Sequence, residues 1–75
     1  MSCKLLRDTG EALYGSRWQS ELARDLNVAD RTMRRWAAGT DDPPQGVAID
    51  LLRLCDERAQ TLDELRGRLR AASIQ

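Results

Sequence analysis

Residues 19–38 read QSELARDLNVADRTMRRWAA, and the organisation of the chain turns on how that stretch folds. Leu22, Ala23 and Leu26, with Trp18 just before the quoted stretch, recur at the spacing of one helical face. The pattern stops at Asn27, a residue that tolerates the left-handed backbone of a tight turn better than most non-glycine residues. Val28 then returns an apolar side chain to the core. A second helix is predicted from about Asp30, burying Met33 and Trp36, three positions apart, with Ala37 beside them. Arg31, Arg34, Arg35 and Ala38 fall on other faces, and Gly39 ends the helix. Trp36 and Trp18 are both expected in the core.

Working outward toward the start, Ser16 stands three residues before Gln19, the spacing of a capping box. It predicts a helix over 17–26, with Gly15 stopping an earlier helix over 4–13. Leu5, Leu6, Thr9 and Leu13 supply the face of that first helix, which Gly10 weakens. Toward the end, the segment 40–46 holds Asp41-Asp42-Pro43-Pro44, which cannot lie inside a helix because each proline lacks an amide donor and restrains its predecessor. A last helix is predicted over about 45–72. Ala48, Leu51, Cys55, Arg58, Leu62, Leu65, Leu69 and Ala72 recur there at alternating spacings of three and four, a heptad-like stripe. Thr61 with Glu64 forms another possible capping box, so a break near Gln60 competes with one continuous helix. Leu51, Leu52 and Leu54 are expected to pack on the earlier helices. Leu62, Leu65 and Leu69 lie beyond so small a core, which predicts a homodimer through residues 58–72. Arg58 interrupts the stripe unless it extends its head into water or pairs with an acid such as Asp63.

The fold class expected is therefore all-α: about three short helices and a long C-terminal one, in a single domain over 1–75. At 75 residues such a domain buries only about 60% of its unfolded surface. The apolar share of 41% excludes disorder throughout. Cys3 and Cys55, without histidine, are too few for a structural zinc site, and read as a thiol at a frayed end and a core thiol. No secretory leader is evident and no apolar run approaches the ~20 residues that span a bilayer, so no membrane partner and a cytoplasmic setting are expected. Nothing in the pattern points to catalysis. Histidine is absent, Cys55 has no activating neighbour in sequence, and there is no glycine-rich phosphate loop; no cofactor is expected.

Residues Gln19, Leu22, Ala23, Leu26, Asn27, Val28, Met33 and Trp36 together resemble the helix-turn-helix of the lambda repressor and Cro-like class of bacterial and phage transcriptional regulators. That class usually has glycine at the turn and serine or threonine capping the second helix; here Asn27 and Ala29 stand there, and Asp30 is the alternative cap. The resemblance implies double-stranded DNA as partner, with 30–38 as the recognition helix of a sequence-specific regulator, a repressor acting by operator occupancy. It implies that Gln19 bonds a backbone phosphate and that Arg31, Arg34 and Arg35 face the groove or its rim. Arginine grips guanine O6 and N7 through two parallel bonds, and the assignment is Arg31 and Arg35 to bases, Arg34 and Arg17 to phosphates. Thr32 would touch a phosphate or a thymine methyl.

The charge balance pulls the other way. Twelve basic and twelve acidic residues leave a net charge of zero, a poor starting point for counterion-driven binding to DNA. The distribution is uneven, with bases leading in 16–38 and acids leading after Gly39. A second reading is therefore a protein-interaction module, antitoxin- or adaptor-like, whose acidic C-terminal helix engages another protein.

Overall fold

Four α-helices follow one another in a computed structural model that describes residues 1–74. They are α1 (Cys3–Tyr14), α2 (Trp18–Leu26), α3 (Asp30–Ala38) and α4 (Gln45–Ile74). A 3-10 turn, Gly15–Arg17, joins α1 to α2. No strand occurs among the described residues, so the chain is all-α, as its periodicity predicts. Helices α1, α2 and α3 pack on one another, and the start of α4 packs on α1.

Each helix begins and ends for a local reason, and several differ from the sequence expectation. Ser2 caps α1, its Oγ accepting from the Leu5 amide at 3.1 Å, so the helix starts one residue earlier than periodicity suggests. Cys3 is consequently not frayed. It is half-buried in the first turn, its Sγ 3.3 Å from the Asp41 carbonyl oxygen and 3.4 Å from Asp42 Oδ1, either of which can accept from the thiol. At the other end Gly15 takes φ 79° and the chain winds straight into the 3-10 turn. Ser16 is thereby drawn inside a helical turn, and the capping box with Gln19 does not form: α2 opens at Trp18 with no side-chain cap. Asp30 does not cap α3 either. Ala29 occupies the cap position with extended backbone, and Asp30 is the first helical residue, where its charge favours the helix dipole.

The turn between α2 and α3 follows the sequence reading closely. Asn27 is left-handed at φ 57° and ψ 43°, the only non-glycine residue with positive φ among those described. The Val28 amide donates back to the Ala23 carbonyl at 2.9 Å and the Asn27 amide to that of Arg24 at 3.1 Å. These two bonds satisfy carbonyls that the helix end would otherwise orphan. Val28 is then half-buried against the core. Gly39 repeats the device after α3, with φ 80° and the Thr40 amide bonded to the Arg35 carbonyl.

The core is Leu6, Trp18, Leu22, Ala23, Met33, Trp36, Val47 and Leu51, with Tyr14, Leu26, Ala37 and Leu54 packed against it. Both tryptophans are inside, as expected. Gly10 is buried for a reason that helix propensity does not reveal: a Cβ there would lie 2.3 Å from Cε3 of the Trp18 ring. The indole lies on bare backbone of α1. Leu5 and Leu52, both anticipated on inner faces, are 54% and 63% exposed. In each adjacent pair the neighbour, Leu6 or Leu51, takes the core-facing position, because successive helical residues point about 100° apart.

Helix α4 runs unbroken through Gln60 to Ile74. Thr61 is no cap; its Oγ1 donates to the Glu57 carbonyl at 3.1 Å, a bond made inside a continuing helix. Cys55 is half-buried rather than in the core, and every described residue from Asp56 onward is exposed. Thirty residues of helix are roughly 45 Å long, which gives the molecule its extents of 53 × 22 × 20 Å. Arg58 does not pair with Asp63. It lies over the Tyr14 ring at 5.9 Å, and Asp63 takes Arg66 instead at 3.5 Å.

Tyr14 ties α1 to α2, its hydroxyl donating to Asp25 Oδ2. Burial, then the hydrogen bond to Asp25 and that residue's negative charge, push its phenol up to about 12. A raised folded value means the neutral phenol contributes stability in full below its ordinary value of about 10, and that this is lost as pH climbs through about 12. Tyr14 is the only tyrosine, so phenolate absorbance near 295 nm follows it alone. The midpoint is expected near 12 in the folded protein, and lower in Asp25→Asn. A folded-state midpoint at the ordinary value would refute the contact.

Candidate nucleic-acid interface

Helix α3 has two unlike sides. Met33 is fully buried and Trp36 nearly so, which holds α3 in one rotation about its axis. Arg31 and Arg35, four residues apart, are therefore on the side opposite Met33, and Arg34 is displaced toward α2. All three are exposed, and Thr32 is half-buried at the flank nearer the core. The C-terminal end of α3 is held from α1, where Arg7 Nη2 donates to the Ala37 carbonyl at 3.2 Å. A guanidinium there also opposes the negative end of the helix dipole.

The exposed side of α2 continues this surface. Ser16, Arg17, Gln19, Ser20, Glu21 and Arg24 line an open polar depression of about 400 Å3 at the start of the helix. A smaller cleft of about 100 Å3 is shared by Gln19, Ser20, Asp30 and Arg34. Gln19 and Arg34, singled out separately in the sequence, are thus brought together across the α2–α3 junction, with Arg17 in the adjoining depression. Ser20, Arg24 and Asp30 join them without having been anticipated. The signal for Ser20 and Arg24 was their place three and seven residues after Arg17, on the face of α2 away from Leu22 and Ala23.

Partners divide the arginines. Arg35 Nε is 2.9 Å from Asp41 Oδ2, an ion pair between two half-exposed side chains just past the end of α3. This bond occupies one edge of the guanidinium and leans Arg35 toward the 39–44 loop. Among the described residues Arg17, Arg24, Arg31 and Arg34 form no ion pair. Asp25, the acid of α2 nearest its C-terminal end, is turned to Tyr14 on α1. The surface of α2 and α3 is left with four unpaired guanidinium groups against Glu21 and Asp30.

The leucines of the C-terminal stripe lie elsewhere. Leu62, Leu65 and Leu69 are 51%, 40% and 67% exposed on the part of α4 that projects past the core. They line neither of the two depressions on α2 and α3. Among the described residues no group of three or more His, Cys, Asp or Glu side chains is placed to hold a metal ion, and no helix is long and apolar enough to cross a membrane. No family model, curated protein or solved structure matches the chain.

Proposed function

We propose that this chain is a sequence-specific DNA-binding regulator of the helix-turn-helix kind, in which α2 braces against the phosphate backbone and α3 enters the major groove. The observation that carries the reading is the two-sidedness of α3. Met33 and Trp36 are sealed inside while Arg31 and Arg34 stand exposed without an acidic partner. In this reading Gln19, Arg17 and Arg34 contact phosphates, which set register, and Arg31 reads a base edge. Thr32 reaches a phosphate or a thymine methyl. Arg35 must give up or share Asp41 to read a base, so its contribution is smaller than that of Arg31. Repression follows from occupying the operator. The projecting part of α4, through Leu62, Leu65 and Leu69, pairs two copies so that two recognition helices address two half-sites.

A mobility shift with fragments of the protein's own promoter region, at two salt concentrations, tests this. Retardation of one fragment over the others, weakening as salt rises, is the expected result. Arg31→Ala should weaken binding about tenfold or more and relax preference at one base pair, from the ~1–3 kcal/mol of a bidentate base contact. Arg34→Ala should weaken binding alike on all sequences and flatten the salt dependence. Unchanged affinity in both variants would sink the assignment.

The net charge of zero and the exposed acidic stretch of α4 from Asp56 to Glu64 favour a second reading, in which that helix binds another protein in the manner of an antitoxin or adaptor. It expects no retardation of any DNA fragment and a partner that co-purifies.

A further inference from the structure

We infer that two copies of this chain pair along α4 in antiparallel orientation, each copy's basic end lying against the acidic part of the other. This rests on the homodimer of the preceding section and defines its geometry.

Ala48, Cys55, Leu62 and Leu69 stand seven residues apart and so form one line along α4. The domain covers only the beginning of it: Leu62 and Leu69 are more than half exposed, and so is Leu52 beside the line. At its start the line enters a shallow apolar groove of about 200 Å3 between α1 and α4, walled by Met1, Leu5, Leu52 and Cys55 among others. Groove and stripe follow one another along α4, with Arg58 between them turned to the Tyr14 ring, and neither has an occupant among the described residues.

Charge selects both the occupant and its direction. Residues 50–64 carry Asp50, Asp56, Glu57, Asp63 and Glu64 against Arg53 and Arg58. Residues 65–74 carry Arg66, Arg68 and Arg70 and no acid. A parallel pair would set the three arginines beside their own copies and the acidic stretch beside its copy. An antiparallel pair sets unlike stretches side by side, and opposes the two helix dipoles. A second copy of the helix is thus complementary to the first in charge as well as in apolar spacing. With Leu62 at the two-fold axis, Leu69 of one copy lies level with Cys55 of the other, and its last turns cover Leu52 and the groove. Arg68 comes level with Asp56, Arg70 lies level with Leu54 and so within a turn of Asp56 and Glu57, and Arg66 comes level with Arg58, whose guanidinium is turned to Tyr14. The two domains then sit at opposite ends of a helical pair. Leu51 and its symmetry mate are about 22 residues apart along it, roughly 33 Å at 1.5 Å per residue. One turn of duplex DNA is ~34 Å.

Thiol cross-linking tests the direction. In Cys3→Ser only Cys55 remains; in Cys3→Ser/Cys55→Ser/Leu69→Cys only the introduced thiol remains; in Cys3→Ser/Leu69→Cys both are present. Each is oxidised with copper–phenanthroline and run on a non-reducing gel. Leu69 is largely exposed in the single chain, so its replacement leaves the fold intact, which circular dichroism checks. The antiparallel pair is expected to give a covalent dimer at least tenfold more abundantly in the two-thiol variant than in either single-thiol variant. Single-thiol variants that cross-link as readily as the two-thiol variant would establish a parallel pair and overturn the inference. Light scattering that shows only monomer at high concentration would overturn it too. A mobility shift on the same preparations separates the readings, since DNA retarded by a monomer leaves DNA binding standing while the pairing fails. A cross-linked antiparallel dimer that ignores DNA does the reverse.

Discussion

Met33→Ala is expected to remove about 2–5 kcal/mol of stability, while Met33→Leu costs less than about 1.5 kcal/mol. Met33 is one of three fully buried large side chains, with Leu6 and Leu22. Its truncation loses the transfer energy of the removed atoms and leaves a void that the neighbouring helices fill only in part. Leucine keeps nearly the same volume and so keeps the contacts. In a domain of this size the whole stability is of order 5–10 kcal/mol. The alanine variant should therefore show a much earlier denaturation midpoint with the slope little changed. The result also bears on function, because Met33 sets the rotation of α3. Loss within about 0.5 kcal/mol of the parent, the range of an ordinary surface substitution, would mean that another face of α3 is buried. Arg31 and Arg34 would then no longer point where the proposed DNA binding requires.

Gly10→Ala is expected to destabilise, by about 1–3 kcal/mol or more, although helix propensity alone favours the alanine by ~1 kcal/mol. Packing decides the sign. The new methyl would sit 2.3 Å from Cε3 and 2.8 Å from Cδ2 of Trp18, two atoms of a rigid indole that is itself buried. The ring cannot yield without moving α2 away from α1. Gly67→Ala is the internal control. Nothing lies within 4 Å of a Cβ built there, and the position is an exposed one in α4. The same substitution should there raise helicity measured by circular dichroism and leave the unfolding midpoint of the core no lower. An unharmed Gly10→Ala would mean that Trp18 packs elsewhere, and the junction of α1 with α2 would have to be redrawn.

Much of the fold was legible along the chain because helices are governed by residues three and four apart. Leu22, Ala23 and Leu26 mark the buried side of α2, Asn27 and Gly39 end helices by accepting left-handed backbone, and the two prolines clear the loop before α4. Cap assignments fared worse. Ser2 caps α1 and Ser16 caps nothing, because a cap requires extended backbone at that one residue, and the turn at Gly15 denies it to Ser16. The candidate interface divides the same way. The arginines of α3 were visible from their place opposite Met33 and Trp36, whereas the capture of Arg35 by Asp41 was not.

Helix positions, the turn at Asn27 and the apolar line down α4 follow from the order of residues, since each depends on neighbours within about one or two helical turns. Tertiary contact alone decided that Gly10 seats an indole, that Leu51 rather than Leu52 faces inward, and that Tyr14 draws Asp25 away from the arginines of α2 and α3. Those outcomes are settled by close packing and electrostatic pairing between helices. Both act through space between residues whose separation in the chain carries no periodic signal.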